Sequence, residues 1–213
     1  MNFLKSNLFN RLVSGLFYVG LIGLSAYLEY DSYLFLTFAF ILIIELFCAL
    51  RFSKSSKRVK FFVGLIGLLY VAIPSYFVGT MVMKFAGMIM IFASLVDTTA
   101  YVFGRMIGGP KLIKISPNKT WSGAIAGMLI PSTLVSFYIL YSHGITFDFM
   151  FFMQMISYFS FMAAISQIGD IFVSYGKRKL DIKDSSKLIP GHGGLWDRMD
   201  SVLAIAIGFL LIR

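Results

Sequence analysis

Seven apolar runs divide this chain, and their lengths constrain everything else it can fold into. They extend from Leu12 to Leu28, Tyr33 to Leu50, Phe61 to Val78, Phe85 to Phe103, Gly123 to Tyr141, Phe149 to Val173 and Leu195 to Ile212. At ~1.5 Å rise per residue, a helix through any of them crosses or nearly crosses a hydrocarbon core of ~30 Å. Within lipid every backbone polar group must be bonded inside the protein, and runs this long do not suit a barrel of ~10-residue alternating strands. The expectation is an all-α polytopic integral membrane protein with about seven transmembrane helices. Pro74 within the third run and Gly79 just after it can mark a break, so the stretch from Phe61 to Phe103 also admits an eighth or re-entrant segment. The N-terminus, with Lys5 and Arg11 ahead of an apolar run, has the outline of a signal peptide, but no small-x-small cleavage site follows, and a retained first span is expected.

The net charge is +9, and the basic residues fall in the gaps between runs. Such placement encodes topology and contact with anionic headgroups rather than nucleic-acid binding. The leader, the gap from Arg51 to Lys60, the gap from Arg105 to Lys119 and the gap from Lys177 to Arg198 together hold 17 of the 19 lysines and arginines. These are alternate gaps, so they share one face, which the positive-inside rule makes cytoplasmic together with the N-terminus. The gap RFSKSSKRVK at 51–60 is read as a topology signal lying on headgroups. Cys48, the single cysteine, excludes an intramolecular disulfide and is expected as a small buried side chain.

Only ten residues are acidic, and five of them lie between Ser166 and Asp200. Carboxylates inside apolar runs persist where they pair, coordinate an ion or line a polar cavity, since each costs ~2.5–3.5 kcal/mol to insert. Glu45, Asp97 and Asp170 are of this kind. Asp97, Tyr101 and Arg105 share one helical face, and Gln167, Asp170, Ser174 and Lys177 share another. Asp197 and Asp200, one turn apart, repel unless a cation lies between them. A hard divalent ion such as Mg²⁺, completed by substrate phosphates, suits that arrangement; simple pairing with Arg198 and nearby lysines is the plainer account.

Ahead of those aspartates, Pro190-Gly191-His192-Gly193-Gly194 is a loop whose backbone N–H groups can face an anion next to a helix N-terminus. His192 suits hydrogen-bond donation to a phosphate as well as proton transfer, and His143 is read as merely solvated. A second polar island runs from Gly104 to Gly123; in it Thr120 is expected to N-cap a helix, Trp121 to mark a headgroup boundary, and Ser116 and Lys119 to contact phosphate. No P-loop, HExxH or CxxC pattern occurs.

At these residues the chain resembles the phosphatidate cytidylyltransferases, or CDP-diacylglycerol synthases. The family's C-terminal signature is met at Ser174, Lys177, Arg178, Lys183, Asp184, Ser186, Pro190, His192, Gly193, Gly194, Asp197, Arg198 and Asp200. Upstream pieces are met at Asp97, Ala100, Tyr101, Gly104, Arg105, Ser116, Pro117, Lys119, Thr120, Trp121 and Gly123, with Gln167, Gly169 and Asp170 between. The resemblance covers Asp97 to Asp200; Gly176, Thr99 and Ser122 depart from the usual residues.

The resemblance implies that CTP and phosphatidic acid become CDP-diacylglycerol and pyrophosphate, with Mg²⁺ as cofactor. It implies catalytic roles for Asp170, Asp197, Lys177, Arg178 and His192, and substrate contacts from Ser174, Lys183, Asp184, Gly193, Gly194, Arg198, Arg105, Ser116 and Lys119. Metal ligands would be Asp170 and Asp197 first, then Asp200 and Asp97. A second cation and a homodimer are compatible with it. It further implies one membrane-embedded domain over 1–213, with N-terminal spans in 1–96 and a catalytic part in 97–213, in a bacterial inner membrane with the site on the cytoplasmic side. Acyl chains would enter sideways between helices. A transporter or flippase of an anionic lipid or solute, and a related lipid kinase or phosphotransferase, remain the alternative readings.

Overall fold

A computed structural model of the chain describes residues 17, 20–25, 27–80, 85–113, 116–186, 188 and 193–212. Helical backbone at 20–25 (α1) is followed by α2 (Asp31–Phe52), α3 (Lys57–Thr80) and α4 (Phe85–Ile107). A small hairpin, β1 (Lys111–Ile113) and β2 (Ser116–Thr120), comes next, then α5 (Trp121–Ser142), α6 (Phe149–Lys179) and α7 (Trp196–Ile212). The helical class holds, with the two-stranded hairpin as an addition where the sequence suggested only a turn.

Among the described residues, α2 to α6 supply five helices long and apolar enough to cross a membrane. Their outward faces carry large apolar side chains, including Phe40, Phe62, Leu69, Leu129 and Phe161, as contact with lipid requires. The run from Leu195 becomes α7, 17 residues long, and α3, α4 and α6 all pack on it. Met199, Val202, Leu203 and Ile205 are fully buried there. Most of the first apolar run lies outside the described residues. Pro74 does not break the third: α3 passes through it to Thr80. Residues 81–84, between α3 and α4, are likewise outside the described residues. Cys48 is exposed rather than buried, because the outward face of a lipid-facing helix is as apolar as the inward one.

Helix boundaries follow local chemistry. Thr120 N-caps α5 by accepting the Gly123 N–H at 3.2 Å, as expected from the sequence, and Asp148 caps α6 by accepting the Phe151 N–H at 2.7 Å. Hydroxyls within the helices turn back onto carbonyls one turn earlier, as from Ser94 to Met90 and from Ser136 to Ser132, which satisfies them without water.

Two close helix crossings set the position of the polar residues. Gly123 brings α5 against α4, and a Cβ there would stand 2.9 Å from Gly104 Cα. Gly169 brings α6 against α7, where a Cβ would overlap the side chain of Ala204. Small residues at such crossings let backbones approach closely enough for side chains on neighbouring helices to meet. α6 has 31 residues and is therefore about 46 Å long, well beyond the ~30 Å it must cross. Lys177, Arg178 and Lys179 lie in its last turn.

Candidate active site

Asp97 on α4, Asp170 on α6 and Asp200 on α7 lie within electrostatic range of one another, with the Asp170 side chain partly exposed. Asp200 is buried, and its Oδ1 accepts the Ser201 N–H at 2.8 Å. The Ser201 hydroxyl stands 3.3 Å from both oxygens of Asp97. Asp170 is paired with Lys119 of the hairpin at 2.5 Å and accepts the Ser174 hydroxyl at 3.3 Å. The hairpin register, Lys111 opposite Thr120 and Ile113 opposite Ser116, carries Lys119 back over α6. Arg198 lies within electrostatic range of Asp97.

Asp197 occupies the adjoining position. Its Oδ1 takes an ion pair from Lys177, while Oδ2 accepts the Gly194 N–H at 2.9 Å and both the N–H and hydroxyl of Ser185 at 3.3 and 3.2 Å. Lys177 is in turn within electrostatic range of Asp200, so the two carboxylate groups meet through this lysine. Two ion pairs, Lys119 with Asp170 and Lys177 with Asp197, thus flank an interior that holds two further acids.

The glycine loop is built differently from a free anion cradle. The N–H of Gly194 is used by Asp197, and those of Leu195 and Trp196 donate to the buried Glu45 at 3.0 Å each. The positive end of α7 is therefore neutralised by two carboxylates of the chain itself. Gly193 has φ +86°, a conformation that favours glycine. A Cβ on Gly194 would overlap Ser185 Oγ and stand 2.8 Å from Glu45 Oε1.

Other residues singled out in the sequence are less central in this state. Arg105 is exposed and donates to Tyr101 Oη at 3.0 Å, so the Asp97 stripe runs outward from the interior. Arg178 is exposed and donates to the Ile182 carbonyl at 3.4 Å. Lys183 and Asp184 are exposed, and Ser116 is half-buried in β2. Trp121 and His143 are exposed as expected. His192 and Pro190 lie outside the described residues.

Glu45 was visible as an embedded acid but not as a part of this site. Besides α7 it accepts the hydroxyls of Ser185 and Ser186, and its neighbour on α2, Leu42, accepts the Trp196 indole N–H at 2.7 Å. The serines of the 51–60 gap also have a structural task. Ser53 and Ser55 donate to the carbonyls of Leu180 and Lys179, both at 2.8 Å, and so cap the end of α6 that carries Lys177.

Carboxylates are the donors that a hard divalent cation would take. Among the described residues no three acidic, histidine or cysteine side chains converge into a complete shell. Mg²⁺, however, is held through one or two carboxylates with water and phosphate oxygens completing the octahedron, and Asp97, Asp170 and Asp200 offer hard oxygen donors from three helices.

Lysines on the hairpin and α6 are thus paired with aspartates on α6 and α7, next to the buried Asp200. The chain is 45% identical over 116 residues to a phosphatidate cytidylyltransferase of Rickettsia bellii, covering 52% of this chain and 49% of the relative. It is 33% identical over 165 residues to that of Rickettsia conorii, covering 68% and 71%, and 39% identical over 158 residues to that of Rickettsia prowazekii, covering 70% and 69%. The match therefore spans from about half to about seven-tenths of these relatives. The profile of the cytidylyltransferase family matches residues 2–213, and the chain belongs to that family.

Proposed function

We propose that the protein transfers the cytidylyl group of CTP to phosphatidic acid, giving CDP-diacylglycerol and pyrophosphate. The observation that carries the reading is the pair of ion pairs, Lys119 with Asp170 and Lys177 with Asp197, on either side of the Asp97 and Asp200 interior. The relatives' shared name supplies the substrates.

In this reaction a phosphate oxygen of the lipid attacks the α-phosphorus of CTP. The bond to the bridging oxygen of the β-phosphate breaks, and pyrophosphate leaves with the electron pair. The nucleophile is already an anion near neutral pH, so the site needs no strong base. Its tasks are to align two polyanions and to neutralise the charge that moves to the leaving group.

Lys119 and Lys177 suit both tasks because each rests on an aspartate that a substrate phosphate can replace. On binding, they would turn to the phosphates, together with Arg198 and, from the exposed rim, Arg178 and Lys183. Asp170 and the Oδ1 of Asp197, relieved of their lysines, would then hold Mg²⁺ together with Asp200 and Asp97. Bound there, the ion would supply charge neutralisation at the phosphates. Asp197 and Ser185, tied to one another, fix the loop beneath the lysines.

The cytoplasmic face is the side we assign. The Ser53–Ser55 loop joins the end of α6 at Leu180 and Lys179, and the hairpin joins the same helix farther back, at Asp170 through Lys119; these are the basic gaps that the positive-inside rule places inside. The N-terminus is assigned to that side too, in a bacterial inner membrane.

Purified protein given CTP, phosphatidate and Mg²⁺ tests the reading. Wild type should form the CDP-lipid and Asp197→Asn should form far less; absence of CDP-lipid from folded wild type would overturn it.

A further inference from the structure

Tyr70 lies midway along α3, a helix long and apolar enough to cross the membrane. A tyrosine hydroxyl in such a helix needs a partner inside the protein. Tyr70 finds it on α7, where its Oη donates to the backbone carbonyl of Asp200 at 2.8 Å. The bond passes over Gly169 of α6: a Cβ there would stand 2.7 Å from Tyr70 Oη and 3.0 Å from the Asp200 carbonyl oxygen. Three helices therefore meet at the residue that precedes Asp170.

The ring of the same tyrosine faces Trp196, nearly parallel at 15° with centroids 6.4 Å apart. Trp196 is itself held from the far side, since its indole N–H is bonded to the Leu42 carbonyl of α2. Trp196 and Asp200 stand one helical turn apart on the same face of α7. Tyr70 thus grips that turn at both ends, by its ring at Trp196 and by its hydroxyl at Asp200. The turn between them carries Asp197 as well as Asp200. Met199, Val202 and Leu203 also pack there, but apolar contact is non-directional, whereas a hydrogen bond fixes rotation and depth.

We propose that Tyr70 is a positioning residue of the site: by tying the Asp200 backbone to α3 across Gly169, it sets the separation of the Asp170 and Asp200 carboxylates. Both acids lie within electrostatic range of its hydroxyl. The inference rests on the cytidylyl-transfer reading above, in which these carboxylates hold the cation. Tyr70 touches no substrate and acts through Asp200. It extends the site to the third span, which carries none of the residues by which the chain resembles the family.

Tyr70→Phe keeps the ring against Trp196 and removes the hydroxyl alone. The Asp200 carbonyl retains its helical N–H partner, so Tm should move little. Tyr76→Phe makes the same change at an exposed position of α3 and is the control. Mn²⁺ is the probe, with binding read by electron paramagnetic resonance on purified protein in detergent, without CTP or phosphatidate. The Kd should rise about three- to tenfold in Tyr70→Phe, the worth of one hydrogen bond, and stay at the wild-type value in Tyr76→Phe. A merely looser fold would lower Tm and the fraction that binds without changing Kd. Equal Kd in wild type and Tyr70→Phe, or binding by neither, would overturn the assignment.

Turnover gives the second arm. In Tyr70→Phe, kcat for CDP-lipid formation should fall by about the same factor with KM for CTP unchanged. In the Asp200→Asn background the further loss should vanish, because groups that act through one another do not add. Additive losses would contradict a role exerted through Asp200. Weaker Mn²⁺ binding by Tyr70→Phe, in a protein that forms no CDP-lipid, would leave the positioning role standing and remove the reaction.

Discussion

The Glu45 carboxylate, buried midway along α2, accepts the Trp196 N–H at 3.0 Å at the first residue of α7. With the Leu195 N–H and the hydroxyls of Ser185 and Ser186 it gathers donors from two stretches more than a hundred residues away. The turn of α7 it holds carries Asp197, so an acid on the second helix fixes the loop on which the proposed chemistry rests.

Glu45→Gln keeps the volume but turns an amide nitrogen toward groups that are themselves donors. The buried N–H or hydroxyl left without an acceptor costs about 1–3 kcal/mol. We expect a lower Tm in detergent and a kcat for CDP-lipid formation reduced about tenfold or more. Unchanged kcat and Tm together would show that the loop is held by Asp197 alone.

Lys119 and Lys177 come from different elements, and in the proposed reaction they would share one task. If so, replacing either by Ala removes a positive group from the transferring phosphates, and each should lower kcat by about 10²–10³-fold. Initial rates at saturating CTP and phosphatidate check this. Lys119→Arg retains charge and should recover part of the loss.

Gly194 is confined by Ser185 and Glu45. Gly194→Ala must push the loop off the carboxylate, at a cost of about 1–3 kcal/mol in strain, read as a fall in Tm together with activity. Gly144, which unlike Gly194 has a positive φ but has open space around it, offers a control for backbone strain without a clash: Gly144→Ala should lower Tm and leave the rate unchanged.

If Asp97, Asp170 and Asp200 hold a divalent ion, chelation by EDTA should abolish CDP-lipid formation and added Mg²⁺ should restore it. Asp200→Asn should raise the Mg²⁺ concentration needed for half-maximal rate. Activity that persists in excess chelator would contradict the metal assignment.

Much of the fold was legible because apolar run length alone demands membrane-crossing helices, and because Thr120 announces the helix it caps. The stripe of Gln167, Asp170, Ser174 and Lys177 was equally legible, since one periodicity puts all four on a face and the structure joins Ser174 to Asp170. What run length does not report is depth in the bundle. Hence α7, apolar like its neighbours, is enclosed by them, while Cys48 faces outward. Long-range pairing was hidden for the same reason: nothing local connects Glu45 with Ser185, or Ser53 with the end of α6. The hairpin at 111–120 was missed because the strands are short and Pro117 and Asn118 read as a turn.

The most direct test uses CTP labelled at the α-phosphate in one reaction and at the γ-phosphate in another, with phosphatidate and Mg²⁺ and purified wild-type protein. Cytidylyl transfer predicts α-label in the lipid product and γ-label in pyrophosphate. Label in the lipid from the γ-phosphate, or from neither position, would contradict it.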